Sequence, residues 1–148
     1  MIEAARLAPS ACNRQPWHFA VVTDEVMRMQ LINKAFLPGI PMRWAENAGA
    51  IIALGMKRTT LTHQIATKIS GVDYPLIDMG IAGEHLVLQA EELGLGTCWI
   101  GWINPKIARR VIGWPRPVEV VSLITVGWPD GERQTRPRRC IDEITTWI

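Results

Sequence analysis

The sequence predicts an α/β or α+β domain in which a mixed central sheet is flanked by helices. Three observations carry that expectation. Strand-like and helix-like segments alternate along the chain. A continuous apolar run over residues 49–56 has the length and composition of a strand buried on both faces. A helical pattern over residues 73–93 spreads Leu76, Ile77, Ile81, Leu86, Leu88 and Leu93 around nearly the whole circumference, as in a helix covered on several sides. With 148 residues, 48% of them hydrophobic and 20% charged, a single domain over residues 1–148 is large enough to bury roughly 68–70% of its unfolded surface without disulfides or a structural metal.

The elements follow in order. Residues 1–8 read as the end of a helix, stopped by Pro9, so the expectation is that something precedes them. Residues 9–17 carry Pro9, Pro16 and several short polar side chains, which is the composition of an ordered loop. Residues 18–22 alternate and branch like a strand. Asp24 caps a helix that runs through Met27, Leu31 and Ile32 to about residue 36, where Pro38, Gly39 and Pro41 break it. After the 49–56 strand, residues 59–70 are polar and fit neither period. In the long 73–93 helix Gly80 and Gly83 would let another backbone approach, and Gly94 ends it. Residues 97–101 form a short strand, Asn104 caps a helix over residues 105–112, and residues 118–126 are a long β-branched strand. A Pro- and Arg-rich tail follows, expected to be extended over residues 128–148 and to pack on a partner subunit.

Composition excludes several classes of function. Sixteen Lys and Arg against 14 Asp and Glu give a net charge of +2, too little field to expect a nucleic-acid partner. The longest uncharged apolar stretch, residues 48–56, falls far short of the ~20 residues of a membrane span, and no basic segment precedes an apolar one at the N-terminus. A cytoplasmic protein without a membrane partner is therefore expected. Cys12, Cys98 and Cys140 are odd in number and far apart, which fits reduced thiols better than a disulfide framework or a zinc site. Seven Trp against one Tyr and two Phe fit either an aromatic-lined pocket or interface, or plain core packing.

No catalytic machinery stands out. There is no phosphate loop, no nucleophile elbow and no paired metal ligand, and His18, His63 and His85 are isolated. Cys98, in an apolar strand, reads as an inert buried thiol. No catalytic side chain is assigned, so in an enzyme a cofactor would supply the reactivity. Two segments could build its site. In the first loop Ser10, Asn13 and Gln15 offer donors and acceptors on a backbone stiffened by prolines, which suits a flat heteroaromatic ring; the alternative is an ordinary loop of Asx and Ser turns. In the tail Arg133, Arg136, Arg138 and Arg139 crowd together, and guanidinium groups pair bidentately with phosphate; the alternative is a solvated basic tail.

Three stretches, in order across residues 5–144, carry a resemblance. Ala8-Pro9-Ser10-Ala11-Cys12-Asn13-Arg14-Gln15-Pro16-Trp17-His18-Phe19 is similar to an APSxxNxQPWxF loop. Asp78-Met79-Gly80-Ile81-Ala82, followed by Leu93-Gly94-Leu95-Gly96-Thr97-Cys98-Trp99-Ile100-Gly101, is similar to a central helix and the strand after it. Gly127-Trp128-Pro129 with Arg136-Pro137-Arg138-Arg139 and Ile141-Asp142-Glu143-Ile144 is similar to a GYP and RPRKPLDEI close. Together they resemble the FMN-dependent nitroreductase family.

The resemblance implies a homodimer with FMN bound between subunits, reduced by NADH or NADPH and reoxidised by a nitroaromatic, quinone or similar small-molecule acceptor in ping-pong order. By that similarity Pro9, Ser10, Ala11 and Asn13 contact the flavin and its ribityl chain, with Gln15 near the ring. Ile100 and Gly101 lie beside the isoalloxazine, Arg136 and Arg138 hold the phosphate, and Arg43 lies at the pyrimidine edge. The substrate lid falls in residues 36–44 and 57–72. Family members begin ~25–30 residues earlier, with a phosphate-binding RRSxRxF segment before this chain's first residue. The alternative reading, from a different class, is a degenerate, non-enzymatic flavin- or nucleotide-binding protein of the same fold.

Overall fold

A computed structural model of the chain describes residues 1–57, 69–131 and 136–148. Its elements are α1 (Ile2–Arg6), β1 (Trp17–Val22), α2 (Glu25–Ala35), β2 (Ala50–Lys57), α3 (Tyr74–Glu92), β3 (Gly96–Ile100), α4 (Pro105–Ile112), β4 (Val118–Gly127) and α5 (Ile141–Ile144). Two 3-10 turns, Ala11–Asn13 and Arg43–Asn47, lie before β1 and after α2.

The sheet has the order β1-β2-β4-β3. Every pairing is antiparallel, so the α+β expectation holds while the parallel component of a mixed sheet is missing among the described strands. Strand pairing is a long-range property, and no local pattern separates an antiparallel from a parallel neighbour when both faces are covered. The register gives the sheet two ends. At one lie Trp17, paired with Met56, and Lys57, paired with Val118; at the other lie Ala50, paired with Val126, and Gly96, paired with Gly127.

Helices cover both faces, and β2 alternates between them as its apolar composition requires. Ile51 and Ala53 pack with Leu31, Ile32 and Ala108 of α2 and α4. Ile52, Leu54 and Met56 pack with Met79 and Leu86 of α3 and Ala5 of α1. A register shift falls between Leu54 and Gly55, where the Trp114 ring lies on the glycine: a Cβ there would sit 2.3 Å from the indole. The same ring meets His18 edge-on at 5.2 Å.

Local signals explain the helix ends. Asp24 Oδ1 accepts the Met27 N–H at 2.8 Å. Asn104 Oδ1 accepts the N–H groups of Lys106 and Ile107 at 3.1 Å, and Gly113 ends that helix in the left-handed region at φ 78°. Between α2 and α4 the Asn104 N–H donates to the Ala35 carbonyl at 2.6 Å, and Arg28 Nη1 donates to the carbonyl of Ala48 on the way into β2.

Three expectations are corrected. Gly83 admits a side chain of its own chain, not a second backbone: its Cβ would lie 2.2 Å from the Trp99 ring, whereas Gly80 faces open space. Cys98 is exposed, on a strand that has β4 as its one neighbour among the described strands. The described part of the tail contains one helical turn, α5. Within the chain α3 is buried along one side only; Leu76, Ile77 and Leu88 are exposed. Residues 59–68, with His63, and Arg133 lie outside the described residues.

Candidate functional site

The loop that leads into β1 has an unusual backbone. Cys12, Asn13 and Gln15 have φ of 53°, 53° and 49°, three non-glycine residues in the left-handed region within four positions. Each costs about 1–2 kcal/mol relative to ordinary backbone, so surrounding contacts must hold them there. Asn tolerates this region because its short amide bonds locally, but Cys and Gln have no such preference. Ser10 organises the turn. Its Oγ accepts the Gln15 N–H at 2.9 Å, its carbonyl accepts the Asn13 N–H at 2.9 Å, and the Gln15 amide donates to Asn13 Oδ1 at 3.1 Å. Asn13 and Gln15 are exposed, Ser10 and Ala11 are half-buried, and Pro16 is buried.

Among the described residues, two hydrogen bonds fasten this loop to the scaffold. At its end the Lys57 N–H donates to the Pro16 carbonyl at 3.1 Å. At its start the Ala11 N–H donates at 3.0 Å to Oδ1 of Asp78, on α3. Asp78 is 3% exposed, and its Oδ2 is buried without a hydrogen-bond partner among the described residues. No role followed for Asp78 from the sequence. The available signal was a lone carboxylate in the stripe of residues 75, 78, 79, 82 and 86 that α3 buries.

The other sequence-assigned residues lie elsewhere. Arg43 opens its 3-10 turn beside α2, on the far face of the sheet from Asp78, in a cleft of about 410 Å³ with Phe36, Pro38, Met42 and Glu46. Residues 36–38 of the expected lid are pinned: Phe36 bridges Ile103, and the Trp102 indole N–H donates to the Pro38 carbonyl at 2.9 Å. Ile100 is 2% exposed and belongs to the core, so only its backbone is open to a ligand, whereas Gly101 is exposed. Arg136 and Arg138 are exposed; Arg138 donates to the carbonyls of Arg136 and Pro137 at 3.2 Å.

A second cleft, of about 330 Å³, opens where β3 begins and β4 ends, between Trp44, Asn47, Cys98 and Trp128. Arg136 is near enough to act on Cys98. Partial burial of the sulfur pushes the thiol pKa up although the residue as a whole is exposed, and the Arg136 guanidinium pulls it partly back. The cleft sits at the end of the sheet where Gly96 pairs with Gly127, and the left-handed loop at the end where Trp17 pairs with Met56. One chain therefore gathers Pro9, Ser10, Ala11, Asn13 and Gln15 into one cluster but keeps Arg43, Arg136 and Arg138 apart from it. The tryptophans belong mainly to surfaces: Trp44, Trp99, Trp102, Trp128 and Trp147 are all exposed, so core packing does not account for their number.

His85 lies on α3 with Nδ1 2.9 Å from the Ile81 carbonyl, which satisfies one ring nitrogen locally.

A family model for the nitroreductase family matches residues 1–128. The chain belongs to the nitroreductase family. This nitroreductase-family chain is accordingly a member of an oxidoreductase family. An Archaeoglobus fulgidus protein with a provisional NADH dehydrogenase/NAD(P)H nitroreductase name is 34% identical over 140 residues, 90% of this chain and 72% of the relative. Among solved structures, a nitroreductase family protein from Clostridium novyi has a TM-score of 0.76 at 30% identity, covering 87% of this chain and 70% of that one. An FMN-dependent nitroreductase from Clostridium difficile has a TM-score of 0.74 at 27% identity, covering 92% and 76%. No helix among the described residues of this nitroreductase-family chain is long and apolar enough to cross a membrane.

Proposed function

We propose that the protein is an FMN-dependent oxidoreductase that takes hydride from NADH or NADPH and reduces nitroaromatic, quinone or similar acceptors. The observation that carries this reading is the strained polar loop, in a chain of this family. Three left-handed residues present Ser10, Asn13 and Gln15 on a stiff backbone, the donor and acceptor set that the edge of a heteroaromatic ring requires. The Clostridium difficile relative, an FMN-dependent nitroreductase, supports the choice of flavin.

The residues present fit FMN in chemistry. Ser10, Ala11 and Asn13, with Pro9, would hold the ring and ribityl chain, and Gln15 would lie near the ring. Arg136 and Arg138 would bind the phosphate, and neither has an ion-pair partner among the described residues. Arg43 would place positive charge at the pyrimidine edge, and the backbone at Ile100 and Gly101 would offer N–H groups to the ring. Bound FMN would supply the two-electron chemistry between reductant and acceptor, which use the site in turn in a ping-pong cycle. The chain's own part is to orient the ring, exclude water from its covered face and supply cationic and N–H groups where negative charge develops.

The separation of loop from clefts fits a site completed by a second subunit. We read residues 1–148 as one domain that forms a homodimer, in which the loop of one copy meets Arg43, Arg136 and Arg138 of the other. The exposed Leu76, Ile77 and Leu88 on α3, and the exposed Trp128 and Trp147 of the tail, are the apolar surface such a dimer would cover.

The test is an absorbance spectrum after mixing the protein with FMN and desalting, followed by anaerobic NADPH and then NADH. Retained flavin bands that bleach with either nicotinamide are expected. Stoichiometric flavin that neither nicotinamide reduces would leave a non-enzymatic flavin-binding protein and overturn the reading.

A further inference from the structure

We infer that Asp78 is the positioning residue of the left-handed loop, a buried carboxylate that holds residues 10–15 in the shape in which they meet their ligand. That ligand is FMN on the reading above, and only the ligand half of the inference rests on that reading.

The hydrogen bonds inside the loop, from Gln15 N–H to Ser10 Oγ, Asn13 N–H to the Ser10 carbonyl and Arg14 N–H to the Ala11 carbonyl, shape the turn without attaching it to anything. Asp78 attaches it. Its Oδ1 reaches across 67 positions of sequence to the Ala11 N–H at 3.0 Å, at the residue immediately before the left-handed stretch. A charged acceptor makes the stronger kind of hydrogen bond to a backbone N–H.

The other carboxylate oxygen argues that stability of the core is not why an Asp stands here. Oδ2 is buried and has no hydrogen-bond partner among the described residues, and a buried carboxylate with half its lone pairs unmet costs more than an apolar side chain of similar volume in the same stripe. Met79, Ala82 and Leu86, the neighbours on that stripe, are what α3 uses when packing alone decides. The Asp is explained by what it holds. Without it the loop keeps its fastening at Pro16 but loses the one at its start, next to Cys12, and the left-handed residues are freer to relax to ordinary conformations that point Ser10, Asn13 and Gln15 elsewhere.

The experiment compares the parent full-length chain with Asp78→Ala and Asp78→Asn, the second keeping an acceptor for the Ala11 N–H. The flavin-free readout is trypsin cleavage after Arg14, an exposed bond inside the loop. Val120→Ala, in the core on the other face of the sheet, serves as a control matched for lost stability. Asp78→Ala is expected to be cut about tenfold or more faster than that control, with Asp78→Asn close to the parent. The second readout is FMN affinity by quenching of flavin fluorescence, expected to weaken about tenfold or more in Asp78→Ala and to recover in Asp78→Asn.

Cleavage of Asp78→Ala no faster than the control, or an Asn variant as impaired as the Ala variant, would overturn the inference. A parent that binds no FMN would overturn the flavin reading alone, while the cleavage comparison would still decide the anchoring. Should Asp78→Ala not fold, hydrogen exchange at the Ala11 amide of the parent decides: protection well beyond that of the other loop amides is expected, and exchange at the unprotected rate would overturn the anchor.

Discussion

At the scale of single residues, the two tail arginines and one cysteine give the sharpest tests. Removing a charged hydrogen bond to a phosphate costs about 1.5–3 kcal/mol, so Arg136→Ala and Arg138→Ala should each weaken FMN roughly 10- to 100-fold in a fluorescence titration. Arg136 also acts on Cys98. Partial burial raises that thiol's pKa and the guanidinium offsets part of the rise, so the protonated, unreactive form persists to higher pH than in a free thiol. Alkylation of Cys98 should accelerate only above the pH at which an ordinary cysteine reacts, and Arg136→Ala should move the profile higher still; mass spectrometry of the labelled peptide at a series of pH values reads both. At this scale the sequence was partly legible. Ser10, Asn13 and Gln15 were visible as a polar set between prolines, but the left-handed backbone at Cys12 and Gln15 was not, because neither side chain favours it and the hydrogen bonds that impose it close only in the folded loop. Asp78 was hidden for the same reason: its partner is 67 residues away.

At the scale of elements, the helix α3 separates its two glycines. A Cβ on Gly83 would lie 2.2 Å and 2.5 Å from the Trp99 ring and 2.8 Å from Leu54, so Gly83→Ala should destabilise the protein by about 1–3 kcal/mol in urea unfolding. Gly80 meets nothing within 4 Å in its own chain, and Gly80→Ala should leave the stability of a single chain unchanged or raise it by up to about 1 kcal/mol through helix propensity. The starts of α2 and α4 could be read directly from Asp24 and Asn104, since a cap is satisfied by groups two or three residues away. The exposure of Cys98 could not. An apolar run such as the one around it is buried only if neighbours cover it, and whether β3 lies at an edge is decided by the order of the sheet.

At the scale of the whole molecule, the exposed apolar stripe of α3 and the tail predict association. On the homodimer and FMN reading proposed above, Ile77→Glu with Leu88→Glu should lower the mass measured by light scattering from two chains to one and abolish FMN retention on desalting, because the loop and the cationic clefts would no longer meet. Removing residues 140–148, whose Ile141, Ile144 and Trp147 are exposed, should weaken the proposed dimer while the α1–β4 body keeps its cooperative unfolding. The α+β class was legible because it sums many short-range patterns.

The position of β3 has a consequence for how the protein behaves in a tube. Among the described strands its outer edge has no neighbour, and an exposed Trp99 and Cys98 lie along it, with no lysine or proline within the strand to deter a foreign strand. On the homodimer reading proposed above, a separated subunit would present that edge to its neighbours in solution. Aggregation should therefore track the fraction of dissociated chains: dilution below the dimer's dissociation constant would produce turbidity on reconcentration, and a charge placed on the strand, such as Thr97→Lys, would suppress it.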